Sequence, residues 1–84
     1  MMKLRRDTGG FNGRLEYAMF EREITIRELS EKIEYSENAI NHWLAGTVEP
    51  GMNAIRSLAT ALNVSADWLI CLLPFETQVF EEAV

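Results

Sequence analysis

Two helix starts stand so close together in this chain that the first segment they open must be short. Thr25-Ile26-Arg27-Glu28 has the form of a capping box, in which Thr25 accepts from the amide of Glu28 and the Glu28 carboxylate reaches back to the amide of Thr25. Ile26, Leu29 and Ile33 then line one face of a helix, with Arg27, Glu31 and Lys32 off that face. After a break at Glu34-Tyr35, Ser36 caps a second helix whose apolar positions are Ala39, Ile40, Trp43 and Leu44, and Gly46 sits where a left-handed C-cap belongs. Two short helices joined by so tight a connection pack at a steep angle. The second therefore stands out from the body, with its leftover polar face, Glu37, Asn38, Asn41 and His42, turned forward.

The rest of the chain supplies what that pair must pack against. Phe11, Leu15, Ala18 and Met19 recur at helical spacing and predict a first helix of roughly three turns, ending near Glu23. Thr47-Val48-Glu49-Pro50-Gly51 is a loop, its proline just ahead of a helix start. Met52, Ile55, Leu58, Ala59 and Leu62 define a fourth helix with Asn63 as its C-cap, and Ser65 caps a fifth, from Ala66 to about Leu72, which Pro74 stops. Trp43, Trp68, Met19 and Met52 are expected in or near the core, and Cys71 as a small buried hydrophobe. Arg14, Arg22 and Arg56 are expected to pair with nearby glutamates. The expected organisation is one all-α domain over residues 11–73, a flexible basic arm over 1–10 and an acidic, apolar tail over 74–84.

Several classes of function find no support. No apolar run approaches the ~18 residues of a membrane-spanning helix, and the basic start, Met1 to Arg6, lacks the apolar stretch of a signal peptide. One cysteine makes no internal disulfide, and one histidine makes no metal site alone. A reducing cytoplasm is the expected compartment. With no nucleophile–base pair, Gly-rich phosphate loop or metal set, neither an enzyme nor a cofactor or small-molecule substrate is expected.

At this point three stretches resemble one family. They are residues 24–36 with Ile24-Thr25-Ile26-Arg27-Glu28-Leu29-Ser30, the segment Ser36-Glu37-Asn38-Ala39-Ile40-Asn41-His42-Trp43-Leu44-Ala45-Gly46, and Pro50 through Val64-Ser65-Ala66-Asp67-Trp68-Leu69. Together they are similar, over roughly residues 11–70, to the lambda-repressor/Cro-type (XRE-like) helix-turn-helix domain of phage and bacterial regulators. The resemblance implies a compact five-helix domain with the helix-turn-helix at helices 2 and 3, and a recognition helix, 36–45, that lies in the major groove. It implies double-stranded DNA as the partner and Glu37, Asn38, Asn41 and His42 as base contacts. Asn38 or Asn41 suits adenine, Glu37 a cytosine amino group, and His42 a guanine acceptor. Backbone contacts fall to Thr25, Arg27, Lys32, Ser36 and Thr47, to amides at helix starts, and to Lys3, Arg5 and Arg6 of the arm.

Three departures set this chain apart from the family pattern. Ile26 stands where a phosphate-fixing glutamine is common, Glu34 where the turn usually has glycine, and Thr47 and Glu49 where the following loop often carries a base. Net charge is −5, although without the last eleven residues, which hold Glu76, Glu81 and Glu82, it is −2, from 8 basic and 10 acidic residues. Two functions follow: a phage- or prophage-type repressor that dimerises to gain affinity, or a protein-interaction module on the same fold (antirepressor or antitoxin-like) with weak or no DNA binding. In a chain this short no separate sensing domain is expected. Leu69, Leu72, Leu73, Phe75, Val79 and Phe80 either form the contact of a homodimer or fold back over the core.

Overall fold

Five helices follow one another in the computed structural model, which describes residues 10–76: α1 (Gly10–Arg22), α2 (Ile26–Ile33), α3 (Glu37–Ala45), α4 (Met52–Leu62) and α5 (Ala66–Leu69). Their starts are the ones the sequence marks. Thr25 and Glu28 form both halves of the capping box, at 3.1 and 2.9 Å. Ser36 Oγ accepts from the Ala39 amide at 3.0 Å, and Ser65 Oγ from the Trp68 amide at 3.3 Å. Each such bond satisfies an amide that the helix itself leaves without a partner.

The helix ends share one device that the sequence advertises at only two places. Each of the five is followed by a residue in the left-handed region: Glu23, Glu34, Gly46, Asn63 and Cys71. At four of them the next two amides fold back in the paired pattern of a Schellman motif, as with Thr47 N–H to the His42 carbonyl and Gly46 N–H to that of Trp43, both 3.1 Å. The end of α2 is simpler: Glu34 N–H donates to the Ser30 carbonyl at 2.8 Å. Glycine and asparagine take this conformation at little cost, whereas Glu34, at φ 63°, carries roughly 1–2 kcal/mol of strain. The left-handed turn at Cys71 also explains why α5 ends at Leu69 and not near Leu72: the helix closes before Pro74 is reached.

Every helix contributes to one core. Leu15, Leu29, Ile40, Leu58, Leu62 and Leu69 are fully enclosed, each worth about 1.5–3 kcal/mol of burial. α1 packs against α3, α4 and α5, while α2 packs against α3 and α4. Trp43, Trp68 and Met19 are in the core as expected. Met52 is not: it is 77% exposed at the start of α4, and Cys71 is exposed as well.

A charged residue sits in the middle of this packing. Arg14, on the same face of α1 as Phe11 and Ala18, is 3% exposed. Its Nη1 donates to the Trp68 carbonyl at 2.8 Å and to that of Leu73, and its guanidinium lies 5.3 Å from the Trp68 ring and 5.7 Å from that of Phe75. Trp68 Nε1 in turn donates to the Phe75 carbonyl at 3.2 Å, and Phe75 meets Tyr17 edge-on at 4.9 Å. The segment after α5 is thereby folded back over the core. Arg22 acts similarly, giving Nε to the Leu62 carbonyl at 2.7 Å and Nη2 to that of Asn63 at 3.1 Å, at the C-terminal end of the α4 dipole. Arg56 donates to Asn53 Oδ1 at 3.1 Å. The arginines expected on glutamates thus also engage carbonyl and amide oxygens.

Glu34→Gly is expected to raise unfolding free energy by about 1 kcal/mol in urea denaturation, since it removes the left-handed strain. Arg14→Leu is expected to lower it by roughly 2–3 kcal/mol, because two carbonyls lose a charged donor; an unchanged midpoint for either variant would contradict this account.

Candidate nucleic-acid interface

α3 is fixed from three sides, and this decides which of its residues face outward. Ile40 and Trp43 are buried beneath it, and Ala39 and Leu44 pack at its margins. Tyr35, in the turn, meets Trp43 edge-on with ring centroids 5.4 Å apart, which ties the turn to the helix it introduces. From α1, Asn12 Nδ2 donates to the Leu44 carbonyl at 3.2 Å and lies so close to Gly46 that an added Cβ would meet it at 3.4 Å. Gly46, at φ 80°, therefore suits both the left-handed cap and the approach of α1.

The face that remains is the one the sequence nominates. Glu37, Asn38, Asn41 and His42 are all exposed on α3, side by side at helical spacing. Around them, Thr25 and Ser36 are exposed at the starts of α2 and α3. Each hydroxyl accepts a capping amide, so its own proton is left to donate. Ile26 is partly buried and offers only its amide, and the start of α4 at Gly51 has no side-chain cap. Lys32 is exposed, as is Arg27, which lies 3.7 Å from Glu31 in a solvated pair worth well under about 1 kcal/mol. Such a pair gives up its arginine to a phosphate at little cost.

Thr47 is differently placed. Its amide and its hydroxyl both donate to the His42 carbonyl, at 3.1 and 3.3 Å, and its Oγ1 lies 3.1 Å from His42 Nδ1. Lys3, Arg5, Arg6, Val79 and Phe80 lie outside the described residues. Of the remaining apolar residues near the C-terminus, Leu69 is fully buried, and Leu73 and Phe75 pack against the core. Leu69, enclosed by its own protomer, has no surface to offer a second copy, whereas Leu73 and Phe75 are partly exposed and Leu72 is 70% exposed.

The electrostatics of the surface are acidic. Residues 10–76 hold five basic and ten acidic side chains, and two of the five, Arg14 and Arg22, are held on backbone carbonyls. The role of Arg14 was missed in the sequence. Its position three residues after Phe11 and four before Ala18 is the signal that puts it on the buried stripe.

The capped α2, the left-handed turn and the outward α3 together define a helix-turn-helix domain of the kind used by DNA-binding transcription regulators. The helix-turn-helix family profile matches residues 16–69, and the chain belongs to that family, in its XRE-like group. Among solved structures, the solution structure of the SOS-response transcriptional repressor LexA from Eubacterium rectale is similar, with a TM-score of 0.70 and 25% identity, over 99% of this chain and 90% of that one. No curated protein sequence matches the chain. Among the described residues, no helix is long and apolar enough to cross a membrane.

Ser36→Ala is expected to cost about 1 kcal/mol in thermal or urea unfolding, since it uncaps the helix that carries the exposed face. A variant as stable as the parent would remove Ser36 from the architecture of the site.

Proposed function

We propose that this chain is a sequence-specific DNA-binding repressor of the phage or prophage type, which lays α3 in the major groove of double-stranded DNA. The observation that carries this reading is the row of four polar side chains on the outer face of α3, inside a helix-turn-helix frame. Asn38 and Asn41 each have the paired donor and acceptor that adenine requires, and Glu37 accepts from a cytosine amino group. His42 completes the row. The similarity to LexA, an SOS-response transcriptional repressor, supports the repressor sense.

Phosphates are held at the starts of helices, through the hydroxyls of Thr25 and Ser36, the amides beside them and the uncapped start of α4. Arg27 and Lys32 add side-chain charge, and the arm with Lys3, Arg5 and Arg6 adds three more positive charges. With so few cations on the folded body, one subunit grips the backbone weakly. A homodimer on two half-sites about one helical turn apart compensates, through Leu72 and the tail residues Val79 and Phe80. The protein acts in the cytoplasm by binding, with no catalytic step.

The acidic surface favours a second reading, a protein-interaction module on the same fold, because Glu34, Glu37 and Glu49 are all exposed near the face that would meet phosphate. Fluorescence anisotropy with own-promoter and random duplexes at two salt concentrations separates the two. Repression through DNA predicts tighter binding to the promoter duplex, and a loss of roughly 5- to 150-fold for Asn38→Ala on that duplex, the range of one bidentate base contact. No binding at low salt by the full chain would overturn the DNA reading in favour of the interaction module.

A further inference from the structure

For a neutral imidazole, the two contacts of the Thr47 hydroxyl with His42 can both be hydrogen bonds in only one way, and that way assigns the ring proton. The Thr47 hydroxyl has a single proton. Its Oγ1 lies 3.3 Å from the His42 carbonyl, an acceptor only, so with both contacts made the hydroxyl donates there. Oγ1 must then accept at its other contact, which makes His42 Nδ1, 3.1 Å away, the donor. In a neutral imidazole a protonated Nδ1 leaves Nε2 bare, and Nε2 is an acceptor. The Thr47 amide is also committed, to the same His42 carbonyl at 3.1 Å. A phosphate oxygen needs a donor, and in this arrangement both donors of Thr47 are engaged by His42.

We infer that Thr47 is a positioning residue for His42, not a phosphate contact, and that it sets the neutral ring to present Nε2 as an acceptor. In the major groove the partner of such an acceptor is an exocyclic amino group, N6 of adenine or N4 of cytosine. The guanine edge offers only acceptors there, so this clamp turns His42 away from guanine. Thr47 belongs to the Schellman turn at Gly46, so the end of the recognition helix and the setting of its last exposed polar side chain are one structure. This inference rests on the proposed DNA reading for its base preference, while the clamp itself is a property of the free protein.

The two parts are tested separately. Long-range 1H–15N correlation spectra of the full chain at about pH 8, above the ordinary histidine range, report which ring nitrogen carries the proton. Protonated Nδ1 is expected in the parent and in Thr47→Ser, with a shift toward the Nε2-protonated form in Thr47→Val; an Nε2-protonated parent overturns the clamp. Selection from randomised duplexes then reads the base. An adenine or cytosine at the His42 position is expected, with discrimination falling roughly 5-fold in Thr47→Val, retained in Thr47→Ser, and affinity for random duplex unchanged. A guanine there, or a Thr47→Val variant that weakens binding equally on all duplexes with unaltered base choice, overturns the inference. If the full chain binds no DNA at all, the base preference falls with the proposed function, and the spectra alone judge the clamp.

Discussion

Everything that α3 presents to solvent depends on the chain reversing within three residues, between Ile33 and Glu37. Glu34 makes this possible by taking the left-handed conformation, in which its amide closes the last turn of α2 on Ser30. Ser36 then reopens the chain in extended form and caps α3, while Tyr35 lies against Trp43. If Glu34 relaxed to an ordinary helical conformation, α2 would run on. The polar row would then lose its steep angle to the body. The strain at Glu34 is repaid by Leu29, Ile33, Ile40 and Trp43, which reach the same core only because the turn is tight. This is local strain held in place by packing, at the element that function needs fixed.

A second constraint runs from the arginines. Arg14 and Arg22 point their guanidinium groups at carbonyls near the ends of α5 and α4, where the helix dipoles favour a cation. Arg14 does so at the centre of a small aromatic cluster of Tyr17, Trp68 and Phe75, which holds the segment after α5 against the body. These positive charges stabilise the fold and are withdrawn from any ligand. The burial of Arg14 leaves the described surface more acidic than its residue count suggests, and on this body phosphate is met by backbone amides, hydroxyl protons and the exposed Arg27 and Lys32.

The architecture was legible because its signals are local. Capping hydroxyls at Thr25, Ser36 and Ser65 and apolar stripes at helical spacing act within a turn or two, and they placed the helix starts and most of the core. The outward face of α3 was legible for the same reason, as the residue left when the apolar stripe is removed. What escaped depends on contacts between distant parts of the chain. The burial of Arg14 needs the carbonyls of Trp68 and Leu73, and the left-handed turns at Glu23 and Cys71 are imposed by packing on residue types that do not favour them. Leu69 has the look of spare apolar surface until it is seen in the core, and Phe75 until its ring is seen to meet Tyr17 of α1. Met52 errs the other way: it keeps the helical spacing of its neighbours, but at the first position of α4 it lies beyond the helices that cover the rest.

The central claim is that the exposed row on α3, supported by the neighbouring helix starts, is a DNA surface. Titration of the 15N-labelled chain with a promoter duplex, followed by amide chemical-shift mapping, tests it most directly. The account predicts that the largest perturbations fall on residues 36–42 and on the amides that open α2 and α4. Perturbations centred instead on the exposed Phe20 or Leu72, with α3 silent, would contradict it.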